Sequence, residues 1–447
     1  MSRPTRAVAV LTAAVTLTTL SGGPSQSRPL SEATSTAPTL PASPCADGDV
    51  PLTPEEAFLA RPEAAALVAG GGFGDQVASF QRALCAAPDA EAAEQVVQEH
   101  GAALWELAVD RAQGRVDTGG WLSAGDDRPL YWARLAMVAS IRQHAGSAHL
   151  SAAQRQDLVD RLDRVSRGQE DVHFPKGRGV KRVLVTGFDP FTLDEDVRQA
   201  NPSGAAALAL DGLTVAGPDG PVRIEAAMLP VRWRDFDHGM VEDTLLPHFT
   251  TGRDGIDAFT TVSQGRPGQF DLEVTNGAWR AGFHDNEFVC HRGQVPAPQS
   301  PTVTPQPQWT RSTLPMDALT ARPSGPFPVV RNTEVTEVPG DTPPEPVTTT
   351  CPAPKSPGTV RPDGPTEGSQ ARAGGGGNYL SNEVAYRATL LRDAVGLDVP
   401  GGHVHTPVLE GLPEDRTQLT SSQFKANREA ITAQVRELVV RTARSTR

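Results

Sequence analysis

Aromatic residues are scarce in this chain of 447 residues, which has three tyrosines, six tryptophans and 14 phenylalanines. Cysteine is rarer, with four. Positive charge is in deficit: 41 Lys and Arg face 53 Asp and Glu, a net charge of −12 with a pI near 5.4. That deficit argues against a nucleic-acid or anionic-membrane partner, either of which calls for a basic patch. The apolar run from Ala7 to Leu20 is too short for a comfortable membrane span. No cysteine sits in a CxxC and there is no HExxH, which argues against a zinc site. What the chain has in quantity is glycine (42) and proline (40), so long irregular segments are expected beside a compact core.

Ser2 to Arg6 is basic and leads into the uncharged Ala7–Leu20 run, the n-region and h-region of a secretory signal. Residues 1–30 are therefore expected to be a signal peptide, cleaved between Gly22 and Ser31, and 31–45 a flexible Ser/Thr/Pro-rich leader. An even number of cysteines fits export to an oxidising compartment. Pairing nearest neighbours, Cys45 with Cys85 and Cys290 with Cys351, would staple one loop in each half; three connectivities are open.

Residues 46–175 read as an all-α domain. Thr53-Pro54-Glu55-Glu56 is a capping-box start with proline at the first helical position. Val77–Leu84, Ala93–Val109 and Leu130–Ile141 have helix-like apolar spacing. Ser151 to Gln154 is a second capping box, after which Leu158, Leu162 and Val165 share a face. Trp105, Trp121, Tyr131 and Trp132 are expected to fill this helical core. The alternative role for this half is an accessory or pro-domain that shields the rest.

The second half is organised around Val183-Leu-Val-Thr-Gly-Phe-Asp-Pro-Phe191. Aliphatic residues running into Thr-Gly predict a short buried strand ending in a tight turn. Phe188 and Phe191 then lie just past the strand's carboxyl end, where open α/β sheets place ligands. Asn201-Pro-Ser203 follows, opening an Ala-rich helical run to Leu210. Further strands are predicted over Val222–Leu229 and Ile256–Val262, and a crossover helix over Val241–Phe249. A Pro-rich stretch around 290–370 reads as disulfide-stapled loops, and Gly374 and Gly375 as a flexible loop. The spacing of Phe424, Ile431, Val435 and Leu438 predicts a final helix packed on the sheet.

TGFDPF followed by NPS resembles the TGFEPFGG…NPS signature of the pyroglutamyl peptidase I (pyrrolidone-carboxylate peptidase) family. More matches follow in order: Leu229-Pro-Val231 with LPV, Ser263-Gln-Gly-Arg266 with GQxGGR, Phe270–Asn276 with VERVAIN, and Asp285-Asn286 with DN. Thr313-Leu-Pro315 matches TLP, Gly374–Gly377 followed by Asn378–Val384 lines up with AGTFVCN, and Gly402–Pro407 with GFIHVP. The resemblance covers about Lys181 to Arg447, with one large insertion. It implies a peptidase whose catalytic glutamate would be Glu273 and whose histidine would be His405. The family's nucleophilic cysteine is replaced by Ser381. A serine is not ionised by a helix N-terminus as a cysteine is, so it needs a general base to take its proton. His405 would be that base, then the acid, with Glu273 orienting the imidazole. The arginine that the family carries shortly before DN is also missing. Gly282 and Phe283 stand in that neighbourhood, with Arg280 the nearest cation.

By the same resemblance Phe188, Phe191 and Tyr379 would sandwich the ring of pyroglutamate, with Asn201 near the lactam and Gln264 on the substrate loop. A neutral flat lactam suits aromatic faces plus a few amide hydrogen bonds. His403-x-His405 could alternatively be half of a metal site, but no third ligand with helpful spacing is present.

The expectation is thus an α/β fold for residues 176–447. It would be a three-layer α/β/α sandwich around a mixed, mainly parallel sheet, preceded by a smaller all-α domain. The expected activity is that of a secreted hydrolase removing N-terminal pyroglutamate from peptides through an acyl-enzyme, with no cofactor. Two other readings stay open: a catalytically silent relative that binds blocked N-termini, and a serine-type esterase or amidase.

Overall fold

The computed structural model describes residues 38–175, 179–216, 220–252, 255–299, 301–352 and 357–446. The expected signal peptide and residues 31–37 of the expected leader lie outside the described residues.

Residues 54–165 fold as helices, chiefly Pro62–Gly71, Gly74–Ala86, Ala90–Ala112, Arg128–Arg142 and Ala152–Val165. Both capping boxes form. The Thr53 and Ser151 side chains accept from the third-residue N–H, while Glu56 and Gln154 reach back to the cap. Leu158 and Leu162 are buried on one face, as their spacing predicts. Trp105, Tyr131 and Trp132 are core residues, but Trp121 is 63% exposed. It sits on the turn between two helices, where its indole rests against Gly70 and otherwise faces solvent.

The main sheet has seven strands, numbered here in chain order: β1 Lys181–Phe188, β2 Thr214–Val215, β3 Val222–Leu229, β4 Ala258–Gln264, β5 Phe270–Glu273, β6 Val329–Asn332 and β7 Gly401–Thr406. Their spatial order is β6-β5-β7-β4-β1-β3-β2. Parallel pairing joins β1 to β3, β1 to β4, β4 to β7 and β5 to β6; β5–β7 and β2–β3 are antiparallel. The sheet is therefore mixed and mainly parallel.

Its two faces differ as period-two alternation requires. Val183, Val185, Val262, Leu272 and Val404 belong to one hydrophobic cluster with the Pro202–Leu210 helix and the final helix, Ser422–Arg444. Phe424, Ile431, Val435 and Leu438 of that final helix are buried there. Leu184, Phe188 and Phe259 face the opposite way, against Trp233, Val241, Leu245 and the helix Leu380–Ala394. The result is three layers, α/β/α. The first cluster also takes in the helical core from Ala64 to Leu162, and residues 38–447 form one compact unit.

The expected helix at 241–249 ends at Leu245 and closes with a turn on which Phe249 is buried. Both disulfides pair nearest neighbours, Cys45–Cys85 and Cys290–Cys351. The Pro-rich stretch is more ordered than loops alone. It supplies edge strand β6, and Val335–Val338 pairs with Thr359–Arg361 and Gln370–Ala373 in a small antiparallel sheet. The prolines lie between these short strands, where no ladder N–H is required. Among the described residues no helix is long and apolar enough to cross a membrane.

Candidate active site

The site lies at the carboxyl ends of β1, β4 and β7, on the face covered by the Leu380–Ala394 helix. Here alternation turns polar: Thr261 and Ser263 on β4, His403 and His405 on β7, and Asp271 and Glu273 on β5 all share this face. Glu273 sits opposite His403 in the antiparallel register, so His405 is its diagonal neighbour. His405 Nδ1 lies 2.7 Å from Glu273 Oε1, with Glu273 1% exposed and His405 7%. The other carboxylate oxygen accepts from Asn332 Nδ2 at 2.8 Å. A solvated edge carboxylate is excluded.

His403 cannot serve as the base. Its ring nitrogens each lie 2.8 Å from a hydroxyl, Thr261 Oγ1 and Ser263 Oγ, and the residue is fully buried. Burial, with His405 beside it, holds its pKa well below the usual histidine range, so it stays neutral. The His403 and His405 rings meet edge to face at 4.7 Å. With both nitrogens of His403 engaged by hydroxyls, the His-x-His pair is not half of a metal site. Among the described residues no group of three His, Cys, Asp or Glu could hold a metal ion.

Ser381 is the second residue of its helix, and the N–H groups of Leu380 and Ser381 have no intrahelical acceptor. They form a partly positive helix end facing the site, a natural place for a developing oxyanion. The glycine loop before it is fixed, not flexible. Gly374 and Gly377 exchange backbone hydrogen bonds of 2.8 and 3.0 Å, and Gly375 N–H donates to Thr275 O at 2.7 Å. A Cβ on Gly375 would stand 2.2 Å from Glu273 Oε2, so only glycine fits against the carboxylate. Gly265 has the same role on the other side, where a Cβ would stand 2.7 Å from His405 Cβ. A Cβ on Gly376 would be 3.3 Å from both His405 Cε1 and Asn382 Cα, so the imidazole faces the start of the Ser381 helix across this loop. Asn382 clamps that start: its amide bonds Gly277 N and O, at 2.9 and 2.8 Å, and Trp279 O at 3.0 Å. Among the described residues the Ser381 hydroxyl has no hydrogen-bond partner.

All eight residues singled out in the sequence line one cavity of about 460 Å³: Glu273, Ser381, His405, Phe188, Phe191, Asn201, Gln264 and Tyr379. Phe188 is buried behind the β1 turn and stacks on Phe236 at 6.2 Å. Phe191, Phe283 and Tyr379 form a ladder, with centroids 6.1 Å apart at 18° and then 4.2 Å apart at 24°. The Tyr379 phenol donates to His284 O at 3.0 Å, and burial first, then Asp285 and Asp194, raise its pKa well above the usual value. Like Glu273, His405 and Tyr379, Asn201 and Gln264 have polar atoms already engaged. Asn201 caps the Pro202–Leu210 helix through Ser203 and donates to Asp189 O at 3.0 Å; Gln264 Oε1 accepts from Leu409 N at 3.1 Å.

Residues 34–163 match the family described as PA0049 N-terminal domain, and residues 182–308 and 297–410 match PA0049, C-terminal domain. A Pseudomonas aeruginosa protein named Uncharacterized protein PA0049 is 36% identical over 466 aligned positions, which cover 85% of this chain and 84% of that one. The chain belongs to the PA0049 family. All eight site residues fall within the stretch matched to the family's C-terminal domain. Solved structures similar to this PA0049-family chain include the pyroglutamyl peptidase I of Bacillus amyloliquefaciens, at 18% identity, covering 59% of this chain and 97% of that one with a TM-score of 0.35. A mutant pyrrolidone carboxyl peptidase from Pyrococcus furiosus is 20% identical, covering 58% and 98% with a TM-score of 0.34.

The structure adds residues to the site that sequence reasoning passed over. Phe283 enters the sequence reading only as a departure from the family's arginine, yet it is the middle of the aromatic ladder. Arg280, the nearest cation in sequence, turns away from the cavity. It pairs with Glu383 and with Asp237 at 2.6 Å. Burial opposes the charge on Glu383, but Arg280 and Arg387 prevail and hold it below the usual range. Asn332 comes from the Pro-rich stretch and carried no signal, because its contact with Glu273 exists only once β6 joins the sheet. Asp285 and Asn286 are scaffold. Asp285 accepts from Trp233 N at 2.8 Å, and Asn286 bridges Pro190 O and Glu55.

Proposed function

We propose that this chain is a serine hydrolase of the pyroglutamyl peptidase type, cleaving the amide after an N-terminal pyroglutamate. One observation carries the reading. The buried Glu273–His405 pair and the Ser381 helix start line a single cavity with an aromatic ladder. A carboxylate on Nδ1 keeps the proton there and leaves Nε2 as the acceptor, which is what a hydroxyl nucleophile needs. Ser381 Oγ attacks the pyroglutamyl carbonyl carbon as His405 takes its proton, and the oxyanion forms beside the N–H groups of the helix start. His405 returns the proton to the leaving amine as the C–N bond breaks. Water, deprotonated by His405, then attacks the acyl ester; the bond to Ser381 Oγ breaks, His405 returns the proton to that oxygen, and pyroglutamate is freed. Substrates of this kind have no α-amino charge, which suits a wall of Phe191, Phe283 and Tyr379 without a cation among its rings. Two disulfides support an exported enzyme.

A second reading has an observation of its own: no hydrogen bond joins Ser381 to His405. A pocket with an idle serine would bind blocked N-termini without cleaving them. Catalytic hydrogen bonds often tighten only with substrate in place, so the separation does not decide against hydrolysis. Steady-state assay of the full chain with a chromogenic pyroglutamyl amide separates the readings. We expect turnover that falls at least about a thousandfold in Ser381→Ala. Undiminished turnover in Ser381→Ala sinks the serine mechanism, and turnover gained only in Ser381→Cys favours the silent binder.

A further inference from the structure

The turn that carries Phe188 and Phe191 also carries Asp189, whose carboxylate is fully buried. A charge in that position is tolerable only when paired. Its partners come from the helical half. Arg134 NH1 donates to both carboxylate oxygens at 2.8 and 3.0 Å, and Arg167 Nε donates at 2.9 Å. Both arginines are in turn anchored among the helices, Arg134 Nε on Ser166 Oγ at 3.0 Å and Arg167 NH1 on Asp163 O at 3.0 Å. Two more ties run the same way. Asn201 N–H donates to Asp127 Oδ2 at 3.1 Å while the Asn201 amide holds Asp189 O. Asn286 bridges Pro190 O, at 3.1 Å, to Glu55 Oε1, at 2.9 Å, and Tyr131 donates to that same oxygen at 2.7 Å.

Every residue of the Asp189-Pro190 corner is thus held, directly or through one side chain, by the segment that precedes the sheet. We propose that the helical half is a working part of the substrate pocket, with Arg134 and Arg167 as positioning residues that set the Phe188–Phe191 wall. A removable shield would meet the pocket at its mouth. These contacts instead reach the turn from behind, and neither arginine lines the cavity. Without the guanidinium pair, Asp189 would seek water and draw the two phenylalanines on either side of it out of register.

The inference rests on the reading that this wall seats the lactam ring, so its test needs one measure with substrate and one without. In the full chain, Arg134→Gln and Asp189→Asn are compared with wild type by steady-state kinetics on a chromogenic pyroglutamyl amide. Amide hydrogen exchange is followed over residues 187–203 and over β7. We expect KM to rise at least about tenfold with kcat changed less than about threefold. Exchange should speed up in 187–203 and stay unchanged in β7, and Arg134→Lys, which keeps charge but not the fork, should fall between. Should Arg134→Gln not fold, Asp189→Asn, of nearly identical shape, gives the same readings. Unchanged exchange in 187–203, or exchange that rises equally across the sheet, overturns the proposal. A wild-type chain that ignores the amide sinks the hydrolase reading alone, and local exchange then still decides the role of the arginines.

Discussion

Replacing Glu273 by glutamine tests the site at its best-determined point. The carboxylate is 1% exposed and accepts two hydrogen bonds, from His405 Nδ1 at 2.7 Å and from Asn332 Nδ2 at 2.8 Å. An amide has one acceptor oxygen and cannot serve both. If the oxygen faces His405, the new NH2 confronts the NH2 of Asn332, and a buried donor is left unmet at a cost of about 1–3 kcal/mol. If the NH2 faces His405, the imidazole must hold its proton on Nε2, where it can no longer act as base toward Ser381. In either orientation the imidazolium formed during attack has lost its buried counter-charge, a loss of about 3–5 kcal/mol. At 1.36 kcal/mol per factor of ten, kcat should fall by about 10² to 10⁴. The assay is kcat and KM on a pyroglutamyl amide, with thermal melting as the control for folding. A second change sharpens it. Adding Asn332→Asp gives the introduced amide NH2 an acceptor and frees the amide oxygen for His405 but loses the donation to Gly375 O at 3.0 Å, so melting temperature should recover in part and kcat less. A Glu273→Gln variant that keeps wild-type kcat would refute the assignment of this pair to proton transfer.

Gly375→Ala should cost activity without replacing any catalytic side chain, because its methyl would stand 2.2 Å from Glu273 Oε2 and push the carboxylate off His405; kcat falling with KM held is the expected kinetic result. Phe283→Ala should raise KM about tenfold and leave kcat alone, since it removes the ring stacked 4.2 Å from Tyr379. Asp127 gives a pH dependence. Burial first, then the neighbouring Asp126, raises its pKa from 3.8 to about 7, and its Oδ1 has no hydrogen-bond partner among the described residues. The folded state therefore keeps a proton that the unfolded chain releases. The stabilisation is complete below about pH 4 and is lost as pH rises through about 7. Asp127→Asn should flatten that fall, and melting curves at pH 5 and pH 8 should differ less in the variant than in wild type.

Much of the site could be read without coordinates because its residues sit in short runs with strong local meaning. Val183 to Phe191 is a buried strand and turn by composition alone. Thr53 and Ser151 announce helix starts through side chains that satisfy nearby N–H groups. The two histidines of β7 point one way because alternation demands it. The resemblance singles out His405, but nothing local in the sequence says which of the two is free. That depended on Thr261 and Ser263 being carried beside His403 by β4, 140 and more residues away in the chain. Trp121 departs from its expected place in the core because nothing local marks a turn whose indole faces outward. The glycines at 374 and 375 read as slack because Gly-rich runs usually are; their rigidity comes from Thr275, Asn332 and Glu273 closing around them.

The sequence by itself determined the helical first segment, the α/β order of the second, and the residue types available for chemistry, since these follow from period, caps and turns within a few residues. Only the tertiary structure decided that Asn332 completes the glutamate's hydrogen bonds, that Phe283 joins the aromatic wall, and that Arg134 and Arg167 reach Asp189. Each of those is a contact between parts of the chain that no local rule relates. A buried charge accepts whichever partner the packed core delivers, and the core is assembled from the whole chain at once.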